Sequence, residues 1–456
     1  MTDAPSRPNL LLIMADQFRH DFLAAGGATF IRTPNIDRLA ARGIRFTRCC
    51  TNSPLCAPAR IALAAGLQAT RMGTLDNHSF LPGDVTTYYQ RLRDSNSRVG
   101  CCGKLDLAKP NRWNSTGDRP CVFSYGFTHP IEIEGKMHAG SHDEPRGPYG
   151  MYLRELGLYE QFHQDYLHRA RHGYIKGVSH DSVLPTEAFQ DLYVGRRAAE
   201  WVEKIGDDFP WHLFVSFAGP HDPFDPPSEY ARRYRDAVMP PAVPNDLANK
   251  PRWLEFLNYR LEADEIAHTR RQYCASIEAI DDAIGRVLDA VERRNMLANT
   301  FVIFTADHGE MLGDHGLYTK HAMYEGALRV PLVAAGPGIE GGRDSDTLVE
   351  LIDLNPTLCE LAGLRPQENI DAKSLVPVLR GQADHHREEA VSALDNVECI
   401  RTERWKLILN HNDRTELYDL DCDRDELHDV SQENPDVVKR LRWQMKYRLY
   451  YSAWRR

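Results

Sequence analysis

Two short runs set a carboxylate beside a second metal-ligating group at the end of an apolar stretch. Asp16-Gln17 follows Asn9–Ala15, and Asp307-His308 follows the β-rich run at 300–305. In an open parallel sheet such strand ends gather ligands in one crevice. Two carboxylates, the Gln17 carbonyl oxygen and His308 make a site for one divalent cation. Mostly oxygen donors suit Ca²⁺ or Mg²⁺, and the imidazole admits Mn²⁺ or Zn²⁺. A third run, Cys56-Ala57-Pro58-Ala59-Arg60, leads into Ile61 and Ala62 and reads as a helix start. Pro58 suits a first helical turn, where its missing N–H costs little. Unpaired N–H groups there favour an oxyanion, and Arg60 adds a planar cationic fork. Taken alone, the run fits an ordinary buried cysteine before a helix equally well.

The elements that must position these residues follow from periodicity. Asn9–Ala15, 212–217, 300–305 and Arg329–Ala335 are apolar runs of strand length, Arg45-Phe46 starts another extended piece, and a further strand precedes Gly103-Lys104. Residues 33–43 read as a helix with Ile36, Leu39 and Ala40 on one face and Gly43 closing it. Residues 262–294 carry Ile277, Ile280, Ile284, Val287, Leu288 and Val291 at helical spacing. Strands alternating with helices imply a mostly parallel sheet covered on both faces. Residues 112–183 read as irregular and rich in His, Gly and Tyr, and 220–251 as a Pro-rich excursion; long excursions of this kind carry function. Beyond Pro377 the pattern changes: 397–408 and 415–420 read as antiparallel strands, with a terminal helix from Pro435. The expected division is a catalytic α/β domain at 1–385 and a smaller α+β subdomain with an antiparallel sheet at 386–456.

The chain has 456 residues, 42% hydrophobic and 26% charged, with a net charge of −10. That acidity argues against a nucleic-acid surface, so any anion site must concentrate its positive charge in a pocket. No apolar run reaches membrane-spanning length, and residues 1–8 lack an export pattern. The ten cysteines show no C-x-x-C or zinc-ribbon spacing. They read as reduced core thiols, which predicts a cytoplasmic protein.

Several segments together resemble type I sulfatases of the alkaline phosphatase superfamily. They are the Asp16-Gln17 strand, Thr33-Pro34-Asn35-Ile36-Asp37, the Cys56 run, Gly103-Lys104 and Phe217-Ala218-Gly219-Pro220-His221-Asp222. The block from Phe304 through Asp307-His308-Gly309-Glu310 to Lys320, then Arg329-Val330-Pro331 and Arg401-Thr402-Glu403-Arg404-Trp405-Lys406, complete the pattern. The resemblance spans residues 9 to about 421. It is close to bacterial sulfatases and to phosphonate monoester hydrolases, which share Asp-Gln and Asp-His at the metal positions.

The resemblance implies an alkaline phosphatase-like fold. It also implies a maturation enzyme that oxidises Cys56 to formylglycine, whose hydrate attacks the ester beside a divalent cation. Calcium is the expected ion, with Mn²⁺ or Mg²⁺ as alternatives, and Asp16, Gln17, Asp307, His308 and the modified Cys56 are the expected ligands. Arg60, Lys104 and Lys320 are expected to hold the transferring group, and His221 to protonate the leaving oxygen. Asn77, Asp106 and His138 are expected at the substrate, with His142 at the rim. Two positions depart from the family. Where many sulfatases read Gly-Lys-Trp-His, this chain reads Gly103-Lys104-Leu105-Asp106, so Asp106 either accepts a proton or pairs with Lys104. Ala59 replaces a common serine, which leaves phosphonate or phosphodiester substrates open. The expected function is hydrolysis of a small sulfate monoester (sugar, aryl or alkyl), with a non-catalytic metal-binding relative as the remoter reading. The terminal run from Leu441 to Trp454 holds five aromatic residues. It is expected to be buried in its own domain or in a homo-oligomer.

Overall fold

A computed structural model describes residues 7–109 and 121–451. Its frame is an eight-stranded sheet of β1 (Asn9–Ala15), β2 (Gly43–Cys50), β3 (Arg98–Gly103), β4 (His129–Glu132), β5 (Trp211–Phe217), β6 (Thr300–Ala306), β7 (Arg329–Ala335) and β8 (Arg343–Glu350). The order is β4-β3-β5-β1-β6-β7-β2-β8, and β7 alone runs antiparallel to its neighbours. Every residue of β1, β5 and β6 is buried, as expected of strands covered on both faces. Register sets Ala15 between Phe217 and Ala306. The three central strands therefore end level, and Asp16, Ala218 and Asp307 emerge side by side.

Helices α1 (Pro34–Ala41), α2 (Cys56–Ala65), α3 (Gln190–Lys204) and α4 (Ala263–Arg293) cover this sheet. The apolar side of α4 read from sequence is buried as expected. Gly195 of α3 lets it approach α4 closely, since a Cβ there would lie 2.7 Å from that of Ala283. Thr33-Pro34-Asn35-Ile36 has a structural task. The N–H groups of Asn35 and Ile36 donate to the Asp281 carboxylate of α4 at 3.0 and 2.9 Å, capping α1 from outside.

Three expectations need correction. Residues 397–408 are not one strand. The second sheet has β9 (Glu389–Leu394), β10 (Val397–Thr402), β11 (Trp405–Asn410) and β12 (Thr415–Asp419) in antiparallel order β12-β11-β10-β9. A turn at Glu403-Arg404 splits the run, tied by Thr402 Oγ1 accepting from Trp405 N–H at 2.9 Å. Of the excursion at 112–183, residues 112–120 lie outside the described residues, and the rest is more regular than expected. It adds β4 and the helix Tyr159–Ala170, whose buried face is Tyr159, Phe162, His163, Tyr166 and Arg169. The terminal helix α5 (Pro435–Lys446) buries aliphatic residues instead of its aromatics. Leu441, Met445 and the following Leu449 pack on β10 and β11 residues, whereas Trp443 is 68% exposed. Trp443 stacks on Tyr447 with ring centroids 5.6 Å apart. Trp454 lies outside the described residues.

Candidate active site

The level ends of β1 and β6 bring the two sequence-predicted carboxylates together. Asp16, Cys56, Asp307 and His308 are all buried, and each offers a ligand atom within 4.8 Å of the others. Gln17 stands beside this cup in a left-handed conformation (φ 66°). Its backbone N–H donates to Asp307 Oδ1 at 3.1 Å. Its side-chain NH₂ donates to Asp222 Oδ1 at 3.1 Å and to Glu310, which fixes the amide orientation. The Gln17 carbonyl oxygen then accepts from Lys320 Nζ at 2.5 Å. His308 pairs its Nδ1 with the Gly309 carbonyl at 2.9 Å. A proton held there leaves Nε2 as the lone-pair nitrogen facing the cup, the arrangement a metal-ligating histidine needs.

Cys56 is the first residue of α2, with Sγ 3.2 Å from His308 Nε2 and 3.7 Å from Asp16 Oδ1. The residue before the helix, Leu55, has no capping side chain. Asn77 supplies the cap: its Oδ1 accepts from Ala57 N–H at 3.1 Å. Sequence reasoning gave Asn77 to substrate oxygens, but its carbonyl oxygen holds the helix start. Burial and Asp16 push the Cys56 thiol up, yet Lys104, Lys320 and Lys109 outweigh them and hold it well below an ordinary thiol. Lysine side chains thus face Cys56 across a cup built from two carboxylates.

Arg60 lies one turn beyond Cys56 and is fully buried. Its donors face the carboxylates: Nε to Asp307 Oδ2 at 2.7 Å and Nη2 to Asp16 Oδ2 at 3.3 Å. Nη1 reaches the Lys104 carbonyl at 2.7 Å and Ser216 Oγ at 2.8 Å. The guanidinium thus orients ligands from behind the cup. Lys104 forms a close ion pair with Asp16 and lies 3.2 Å from Asp106. Lys320 also makes a close contact with His221 Nε2, while His221 Nδ1 meets the Asp222 carbonyl at 2.6 Å. Asp106 sits between Lys104 and Lys109, and these with Arg60 overcome burial to hold its carboxyl far below the usual range. That favours pairing over proton acceptance.

Residues Gly135-Lys136-Met137-His138 come near Lys104: a Cβ on Gly135 would be 3.4 Å from Lys104 Cε. Lys136 is buried against Asp225 and the Pro223 carbonyl, at 2.8 Å from the latter. His138 is exposed and His142 half-buried. Sequence reasoning missed Asp222, Glu310 and Lys109. Asp222 and Glu310 were legible as acids adjoining His221 and His308. No spacing marks Lys109. Burial, then Asp222, pushes the Glu310 carboxyl up to about 7.

Level strand ends, an acidic cup and a ring of cationic side chains define an alkaline phosphatase-like hydrolase of anionic esters. The sulfatase family profile matches residues 8–364, and the C-terminal profile of N-sulphoglucosamine sulphohydrolase matches 313–452. A choline-sulfatase of Rhizobium meliloti is 30% identical over 94% of this chain and 83% of its own. The crystal structure of a phosphonate monoester hydrolase of Agrobacterium radiobacter has a TM-score of 0.82 at 26% identity, covering 97% of this chain and 95% of that one. A structure of BT4656 with its substrate D-glucosamine-2-N,6-O-disulfate has a TM-score of 0.77 at 21% identity, covering 98% and 99%. The chain belongs to the sulfatase family, hydrolases of sulfate esters.

Proposed function

We propose that this sulfatase cleaves the sulfate monoester of a small molecule at a formylglycine made from Cys56. A divalent cation would be held by Asp16, Gln17, Asp307, His308 and the modified Cys56. The position of Cys56 Sγ carries this reading: it opens α2 at the acidic cup, 3.2 Å from His308 Nε2. The donor set fits a hard cation, since carboxylate and amide oxygens outnumber the one imidazole, so Ca²⁺ is our first choice and Mn²⁺ or Mg²⁺ the alternatives. When bound, the cation and the aldehyde hydrate supply Lewis acidity and a nucleophilic oxygen.

The chain's own residues do the remaining work. Arg60 aligns Asp16 and Asp307. Lys104 and Lys320 hold negative charge on the transferring group. His221, with Nδ1 against the Asp222 carbonyl, presents Nε2 to protonate the leaving oxygen. His138 and His142 are our candidates for contacts at the rim. The chain would then act as a catalytic domain at 1–385 supported by a subdomain at 386–456, whose own core contains Val391, Ile400, Leu407 and Leu441.

Co-production with a formylglycine-generating enzyme, peptide mass spectrometry and turnover of an aryl sulfate test the reading. Aldehyde or hydrate at Cys56 and inactivity of Cys56→Ala are expected; wholly unmodified, fully active protein overturns it. Phosphonate or phosphodiester hydrolysis on the same scaffold is the second reading, favoured by the TM-score of 0.82 to the phosphonate monoester hydrolase. Relative rates on aryl sulfate and aryl phosphonate separate the two. A sulfated sugar is our preferred substrate, supported by the glucosamine disulfate complex of the structural relative.

We also place the enzyme in the cytoplasm, on the strength of cysteines that form no disulfide among the described residues. Recovery of the native protein from the periplasm would refute this. Among the described residues no helix is long and apolar enough to cross a membrane. A homo-oligomer through α5 is supported by exposed Trp443 and Tyr451. Truncation before Leu441 would remove core residues, so light scattering on Trp443→Arg is the cleaner test.

A further inference from the structure

Beside Lys104 stands a second lysine that no motif marks. Lys109 Nζ lies 3.1 Å from Asp106 Oδ2, and Lys104 Nζ lies 3.2 Å from the same oxygen. One carboxylate oxygen therefore holds two ammonium groups, and one of them also reaches Asp16 in the acidic cup. Lys109 is no solvated surface charge, since its side chain is only 16% exposed. The segment that carries it is anchored on two sides. Lys104 N–H donates to the Ser216 carbonyl of β5 at 3.0 Å, and Leu81 N–H donates to the Leu107 carbonyl at 2.9 Å. Ala108 adds a β-bridge to Phe80. Asp106 itself adopts a left-handed backbone (φ 56°), a conformation that persists in such residues only where surroundings impose it.

The charge pattern needs an explanation. A carboxylate at position 106 brings negative charge to the wall where an anionic ester must bind, at a place where many sulfatases carry an imidazole. Unopposed, it would repel the ester and compete for Lys104. Lys109 cancels that charge at salt-bridge distance. Asp106 and Lys109 together act as a neutral bracket around Lys104.

We propose that Lys109 is a positioning residue for ester hydrolysis, acting through Asp106 to hold Lys104 at the anion site and to cancel the carboxylate's charge. This rests on the sulfatase reading above. It makes a prediction that a purely structural lysine would not: removing Lys109 alone should harm turnover more than removing Lys109 and Asp106's charge together.

The test uses the full chain, matured at Cys56, with an aryl sulfate as substrate and inorganic sulfate as competitive ligand. Lys109→Met should lower kcat/KM by on the order of 10-fold or more, less than the loss of a direct oxyanion donor, and weaken sulfate inhibition in parallel. Lys109→Arg should restore most of both. The double variant Asp106→Asn/Lys109→Met should recover at least half of the logarithmic loss. If Lys109→Met does not fold, the double variant measured against Asp106→Asn gives the same comparison: near-equal values are expected, because an uncharged residue 106 no longer needs Lys109. Unchanged kcat/KM and sulfate inhibition in Lys109→Met, or strictly additive losses, overturn the proposal. A matured wild-type enzyme without turnover of any sulfate ester overturns the sulfatase reading instead, and sulfate binding to the same variants still decides the role of Lys109.

Discussion

Arg60 Nε lies 2.7 Å from Asp307 Oδ2, and the same guanidinium reaches Asp16 Oδ2 at 3.3 Å. One planar cation thus ties the ends of β1 and β6 to the helix that carries Cys56. Three separate segments converge on a single fork, which explains how a site assembled from residues 16, 56 and 307 keeps its shape. The pairing also stops two buried carboxylates from repelling each other when no cation lies between them.

Removing that fork should cost both stability and activity. Arg60→Met strips the buried Asp307 carboxylate of its guanidinium and leaves Asp16 with Lys104 as its remaining close cation, a change worth about 3–5 kcal/mol. Urea unfolding should show this as a lower midpoint. Arg60→Lys should recover little, because an ammonium cannot span Asp16, Asp307 and Ser216 at once. Wild-type stability in either variant would show that the fork is not what holds the cup.

The cup should respond to metal in stability as well as in rate. Chelation should abolish turnover, and one divalent cation species should restore it. At 100 times its dissociation constant the restoring cation adds about 2.7 kcal/mol to stability, seen as a rise in thermal midpoint. Asp307→Asn should remove most of that rise. A chelated preparation with full turnover and an unchanged midpoint would contradict the metal assignment.

His221 should reveal itself through leaving-group dependence. Its Nε2 is the nitrogen turned toward Lys320 and the anion site. A proton donor matters most for a poor leaving group. His221→Ala should therefore lower kcat on an alkyl or sugar sulfate by on the order of 10²-fold, with a much smaller loss on a nitrophenyl sulfate. Lys320→Ala should lower kcat on both alike, as its proposed role at the transferring group requires. Equal losses for His221→Ala across leaving groups would reassign the histidine to binding.

The legible parts of this site are those written as strand ends. Asp16 and Asp307 follow fully buried apolar runs, and level register between Ala15, Phe217 and Ala306 turns those sequence positions into neighbours. Cys56 and Arg60 share a helix face because they are four residues apart. What the sequence hides depends on contacts between distant segments. Asn77 looks like a loop asparagine until α2 proves to lack its own cap. Lys109 looks like surface charge until Asp106 folds inward. Strand β8 escaped because its first half, Arg343-Asp344-Ser345-Asp346, is polar and largely exposed at the sheet edge. The aromatic tail misled for a related reason: its burial signal was the spacing of Leu441, Met445 and Leu449, and Trp443 and Tyr451 are exposed.

The joint between the two halves makes a prediction in pH. Asp353, just after β8, accepts from Arg387 Nε at 2.7 Å and pairs with His386 Nε2 at 3.0 Å, shortly before β9 opens the second sheet. Burial alone would raise the Asp353 carboxyl, but Arg387 and His386 outweigh it and hold the group below the usual carboxylate range. A carboxyl with a depressed folded value adds stability that is complete above its unfolded value of about 4. That stability is lost as pH falls through the folded value. Arg387→Met should therefore cost about 3–5 kcal/mol at pH 7, the cost of stripping a buried carboxylate of its guanidinium partner. The gap between the urea midpoints of wild type and variant should begin to narrow as the pH drops below about 4, where the unfolded carboxyl takes up a proton, and should close only toward the lower folded value, where the pair itself is protonated. A gap that stays constant from neutral to acid pH would locate the loss in packing around the Arg387 stem, not in its charge.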